Sequence, residues 1–148
     1  MSTFVELFGP EVQTKAGIKP TTEVFANKAV VGIYFSAHWC PPCRGFTPVL
    51  SEVYEEIVGD GHNDFELIFV SSDRDDAGFN EYYGEMPFTA LPYANRAQKD
   101  VLAKKYEVRG IPTLVFVNGA GETITKDGRS VVTNAHGDIA KILSALKQ

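Results

Sequence analysis

The chain has 148 residues, 44% of them hydrophobic and 22% charged, with a formal net charge of −5. This is the size of one compact domain, expected to span 1–148, with enough apolar matter to bury a core without disulfide staples. The acidic balance argues against general nucleic-acid binding, and no apolar run nears the roughly 20 residues of a membrane span.

The first ten residues lack the basic and apolar regions of a secretory signal and carry Glu6, so the expected setting is cytoplasmic, or also nuclear. Residues 1–28 read as an N-terminal strand-and-turn extension. Gly9-Pro10, Gly17 and Pro20 punctuate it, as in a hairpin laid on the domain's edge. Residues 29–148 read as the core.

Ala29–Ser36 is a continuous apolar run, as in a strand buried on both faces. Cys40-Pro41-Pro42-Cys43 follows at once. Phe46, Val49, Leu50, Val53, Tyr54 and Ile57 then form a helical stripe, in a helix beginning near Pro42 or Cys43 and kinked at Pro48. Phe65–Ser71 is a second buried strand. Ala77–Glu85 reads as a short helix, and Pro87–Tyr93 as a loop or short extended piece. Ala97–Tyr106 reads as a helix with Val101, Leu102 and Tyr106 toward a core. Thr113–Val117 is a strand that turns at 118–121 and pairs back through Glu122–Thr125, before a turn at Asp127-Gly128. Ile139, Ile142, Leu143 and Leu146 mark a C-terminal helix. The order predicts an α/β fold: a central mixed β-sheet flanked by helices on both faces.

The chemistry lies in the two cysteines, the only ones present. Three positions apart, they cannot staple distant parts of a fold, so the pair is chemical. At a strand-to-helix junction the helix dipole favours a thiolate. Cys40 is expected to be the exposed, attacking sulfur, and Cys43 the more buried sulfur that resolves the mixed disulfide. Pro41 and Pro42 restrict the loop, and neither supplies an N–H. Only the Cys43 amide can therefore serve a Cys40 thiolate. A zinc site is disfavoured, because there is no second cysteine pair and His38 is too close to Cys40 to share a metal with it. No metal and no cofactor beyond the cysteine pair are expected.

Ile111-Pro112 opens a strand. A cis bond there would present the Ile111 backbone to an extended substrate, whereas a trans bond would make an ordinary loop; the residues alone weigh both equally. Asp73, at a strand end, is either a base for Cys43 or a cap. Tyr34 is the one titratable group in the strand leading to the cysteines, and with Asp73 a candidate for proton transfer. Trp39 is either an apolar platform or a cover for the core. Arg44 and Arg109 read first as solvated surface residues.

The segment from Trp39 to Pro48 resembles the active-site segment of the tryparedoxin and nucleoredoxin branch of the thioredoxin superfamily. The likeness continues through Phe69–Asp73, Glu85-Met86-Pro87, Leu91-Pro92-Tyr93 and Gly110–Leu114. The resemblance implies a thioredoxin fold, a Cys40 nucleophile, a resolving Cys43 and a cis bond at Pro112. It sets Arg109 beside the substrate-facing loop, and Tyr34 where thioredoxin carries a buried aspartate. Arg129 matches an arginine that helps tryparedoxins engage trypanothione. Ser72-Asp73 replaces the Trp-Asp of tryparedoxins, Phe88 replaces a tryptophan of both groups, and Lys126 is displaced from the position just before Arg129. These departures favour a nucleoredoxin-like protein. The implied function is reduction of protein disulfides, with disulfide-containing proteins as substrates and a dithiol or a reductase as electron donor. The alternatives are a tryparedoxin passing electrons from trypanothione to peroxidases, and a redox-sensitive binding module regulating signalling partners.

Overall fold

The computed structural model describes residues 3–146. Its centre is β3 (Val30–Ser36), the apolar run, which pairs parallel with β4 (Phe65–Ser71) and antiparallel with β6 (Thr113–Asn118). Around these lie β1 (Glu11–Thr14), β2 (Gly17–Pro20), β5 (Thr89–Ala90) and β7 (Thr123–Thr125), giving a seven-stranded mixed sheet in the order β2-β1-β5-β4-β3-β6-β7. β3 and β4 are apolar on alternate residues of both faces, so each face must be covered.

One face packs under α3 (Pro41–Gly59), α4 (Asp76–Tyr83), α6 (Gly128–Asn134) and α7 (Ile139–Ala145). Tyr34, Leu67, Phe69, Leu114 and Phe116 meet Leu50, Phe79, Val132 and Ile142 there. The other face packs under α1 (Thr3–Phe8), α2 (Thr21–Val24) and α5 (Arg96–Lys105). Val31, Ile33, Phe35, Ile68 and Val115 meet Phe4, Phe8 and Leu102 there. The expected α/β architecture with helices on both faces is present.

Several expectations need correction. The N-terminal extension holds the hairpin β1–β2, but it is not only strand and turn. Phe4, Leu7 and Phe8 stand at helical spacing, and α1 buries all three. Asp127-Gly128 is not a free turn but the start of α6. Gly128 is buried there, because an added Cβ would lie 2.7 Å from both the Leu114 carbonyl oxygen and Leu114 Cγ. Val101 points outward at 55% exposure, and Leu102 alone of α5 is buried. Val49 is likewise exposed. α3 begins one residue earlier than expected and continues as a single helical element through Pro48, on its exposed side.

Gly128→Ala should destabilise the protein by about 1–3 kcal/mol, since the clash involves backbone that cannot rotate away. A lowered urea midpoint with an unchanged slope is the expected result.

Candidate active site

The carboxyl ends of β3 and β4 and the amino end of β6 meet at one edge of the sheet, because β6 runs antiparallel to β3 with Phe35 opposite Thr113. The loop after β3 and the residues before β6 are thereby set side by side. Cys40 is the N-cap of α3, with Pro41 and Pro42 in the first helical positions, where a missing N–H costs nothing. The Cys43 amide points back at Cys40 Sγ across 3.4 Å. This is the one amide that the two prolines leave for that sulfur.

Both cysteines are free thiols. Cys43 is fully buried, and Cys40 is only 5% exposed, so the sulfur expected to attack is less open than the sequence suggested. Cys40 packs with Ala37 and Cys43 against Ile111, and its thiol donates to the Ile111 carbonyl across 3.8 Å. The Ile111-Pro112 bond is cis, which resolves the open choice, and Pro112 is buried. Burial pushes the Cys43 thiol up to about 11, and the neighbouring Cys40 adds to the rise. Hydrogen bonds from the Ser36 side chain and the Ala37 backbone act against it.

The loop carrying the cysteines is tied to the end of β4. The His38 amide donates to Asp73 Oδ1 at 2.8 Å, and the Ser71 hydroxyl donates to Asp73 Oδ2 at 2.7 Å. Both oxygens of Asp73 are thus engaged in bracing, and the cap of the next helix is Asp75 instead. Trp39 is 49% exposed, yet its indole N–H donates to the Ser72 carbonyl at 3.0 Å, so it stands as a held platform. Behind this, Tyr93 donates to the Asp73 carbonyl at 2.9 Å, and Arg96 donates to the carbonyls of Ser71 at 2.9 Å and Tyr93 at 2.7 Å. Arg129 is exposed but bound at one end, donating to the Pro112 carbonyl at 3.2 Å. Arg109 is exposed on the loop before Ile111, and Arg44 is exposed on the first turn of α3.

Sequence reasoning missed a buried chain of hydroxyls beneath Cys43. Ser36 Oγ lies 2.8 Å from Tyr82 Oη, Tyr82 Oη bonds Thr47 Oγ1, and Thr47 Oγ1 lies 2.7 Å from Tyr34 Oη. Tyr34 Oη also reaches the Cys43 carbonyl at 3.4 Å. The chain thus runs from beside the Cys43 thiol back to the Cys43 backbone. Each hydroxyl has one proton, so the chain has two directions. If Tyr34 donates to the carbonyl, every donor points that way, and Ser36 can only accept from the thiol. If the direction reverses, Ser36 can donate to the Cys43 sulfur. Burial raises Tyr34 and Tyr82 above their ordinary values, so both stay neutral. Tyr34 thus enters the chain as a neutral hydrogen-bonding group. Tyr34 and Ser36 are polar positions on one face of an otherwise apolar strand, and that was the available signal.

Among the described residues, no cluster of three histidine, cysteine, aspartate or glutamate side chains stands where it could hold a metal.

A family model described as Thioredoxin-like matches residues 27–123. This chain belongs to the thioredoxin-like family. Human nucleoredoxin is 51% identical over 104 residues, which are 70% of this chain and 24% of that protein. The chain thus spans about a quarter of the length of that relative. Tryparedoxin from Trypanosoma brucei superposes with a TM-score of 0.82 at 35% identity, covering 93% of this chain and 95% of that one. A tryparedoxin II complexed with glutathionylspermidine superposes with a TM-score of 0.75 at 35% identity, covering 87% and 86%. The chain accordingly falls on the nucleoredoxin and tryparedoxin branch of this family, with the higher identity to nucleoredoxin.

The raised pKa of Cys43 has a consequence for stability. The unfolded thiol titrates near its ordinary 9.0, and the folded one near 11. The folded state therefore holds more protons between these values, and stability falls as pH rises through them. The urea midpoint should be level up to about pH 9 and decline above it. Cys43→Ser should delay that decline to about pH 10, where unfolded tyrosines ionise ahead of the buried ones.

Proposed function

We propose that this chain is a protein-disulfide reductase of nucleoredoxin type, working through Cys40 and Cys43. The observation that carries the reading is the placement of Cys40 at the N-cap of α3, with its sulfur facing the Cys43 amide and the Ile111 carbonyl.

The Cys40 thiolate attacks one sulfur of a substrate disulfide. A bond forms between Cys40 Sγ and that sulfur, the substrate S–S bond breaks, and the departing thiolate takes a proton. Cys43 then attacks Cys40 Sγ. The Cys40–Cys43 disulfide forms, the mixed disulfide breaks, and the second substrate thiolate accepts the proton that Cys43 gives up. Two electrons have passed from the dithiol to the substrate, and an external dithiol or a reductase restores the thiols. A buried Cys43 thiol of high pKa is a poor nucleophile, so the second step needs help. Reversal of the hydroxyl chain supplies a Ser36 donor to the sulfur as it loses its proton, in a site without a charged group to do so. The Ile111 backbone beside Cys40 is a docking edge for an extended substrate segment. A reducing compartment such as the cytoplasm or nucleus would keep the pair in its working form.

Identity favours the nucleoredoxin reading over a tryparedoxin proper: 51% to human nucleoredoxin against 35% to the trypanosomal protein. Reduction by trypanothione, compared with reduction by a thioredoxin reductase, separates the two.

The reduced protein should catalyse insulin disulfide reduction with dithiothreitol as donor, and Cys40→Ser should lower the rate to that of dithiothreitol alone. Undiminished turnover in that variant would refute the assignment. Cys43→Ser should instead accumulate a substrate adduct stable to denaturant and released by reductant, visible as added mass.

A further inference from the structure

We infer that the groove beside Cys40 selects disulfides carried on acidic chain segments, read by Arg74, Lys99 and Arg109. The inference rests on the reductase reading and adds a substrate class to it.

The groove has a volume of about 230 Å³ and is lined by Phe35, Trp39, Ser72, Lys99, Val108 and Ile111, among others. Its walls are those that hold Cys40: Trp39 precedes the nucleophile, and Ile111 receives its thiol. A side chain next to a substrate half-cystine fits this apolar slot, and its neighbours would lie along the rim.

The rim is cationic, although the protein as a whole carries a net charge of −5. The Arg74 guanidinium stands 5.1 Å from the centre of the Trp39 ring and is exposed. Stacked on an indole, a guanidinium keeps its edge N–H groups for a carboxylate. Arg109 is exposed and immediately precedes Gly110 and Ile111 of the groove wall. Lys99 lines the groove itself, and its sole ion pair is a 3.8 Å approach to the well-exposed Asp100. Among the described residues, neither Arg74 nor Arg109 is ion-paired.

Three carboxylates close by in sequence are engaged elsewhere. Asp73 accepts from His38 and Ser71, Asp75 accepts from the Gly78 amide, and Glu107 is paired with Lys126 at 2.6 Å. Arg74 and Arg109 are thus left to an incoming chain, with Lys99 held only by its long approach to Asp100, and that chain gains both attraction at a distance and contact pairs on arrival. The narrow apolar slot argues for a polypeptide occupant, since a nucleic-acid backbone has nothing to place there.

Three peptides test this, each with the same internal disulfide and with glutamate, glutamine or lysine flanking the half-cystines. Turnover is followed with dithiothreitol as donor. The expected order of kcat/KM is glutamate, glutamine, lysine, with the extremes differing by about tenfold or more at low ionic strength, as a few partly exposed ion pairs give. The ratio should shrink as salt is raised. The doubly reversed variant Arg74→Glu, Arg109→Glu should invert the order, an effect that a folding defect cannot produce. Equal rates for the three peptides, or an unaltered order in the variant, would overturn the selectivity and leave the reductase reading standing. No turnover of any peptide, with both thiols titrating, would remove both.

Discussion

Asp73 holds the loop that carries Cys40 and Cys43 in place. Its two carboxylate oxygens take the His38 amide from one strand end and the Ser71 hydroxyl from the next, and so join the ends of β3 and β4. Cys40 lies two residues beyond that joint. The adjacent indole is fixed to Ser72, and Tyr93 and Arg96 fix Ser71 and Asp73 from behind. Cys40 thus owes its position to a set of hydrogen bonds made by neighbouring residues and not to any bond of its own to β4. Precision of this kind is what a supporting shell provides to a reactive group.

The second organising feature is the uncharged interior beneath Cys43. Burying a carboxylate beside a thiol would impose a heavy desolvation cost unless it were paired. A chain of Ser36, Tyr82, Thr47 and Tyr34 satisfies its members mutually and keeps every group neutral at ordinary pH. Reversal of its direction would turn the Ser36 proton toward the Cys43 sulfur without placing a charge in the interior.

Much of this was legible in the sequence wherever pattern and element coincide. The apolar run of β3, the cysteine pair and the stripe of α3 are adjacent in the chain, so the junction that bears the thiols could be placed from residues alone. α1 was hidden because its three buried apolar residues sit in a segment soon broken by glycine and proline, and one short turn pattern is easily read as a strand edge. α6 was hidden because Gly128-Arg129-Ser130-Val131-Val132 has weak helix propensity, and tertiary packing of Val132 decides the matter. The hydroxyl chain and the Arg96 brace were not legible. Bonded members lie up to 46 residues apart, and each alone resembles an ordinary packing or surface residue.

The hairpin at the sheet's margin has a consequence for how the molecule meets its own kind. β2 is the outermost strand on its side, fully exposed along its length, and it ends in Lys19-Pro20. A proline presents no N–H to an approaching strand, and a lysine must be stripped of water before one can settle. This margin is therefore a poor template for sheet extension, and along β2 edge-to-edge joining of copies is opposed by two residues far from the cysteines.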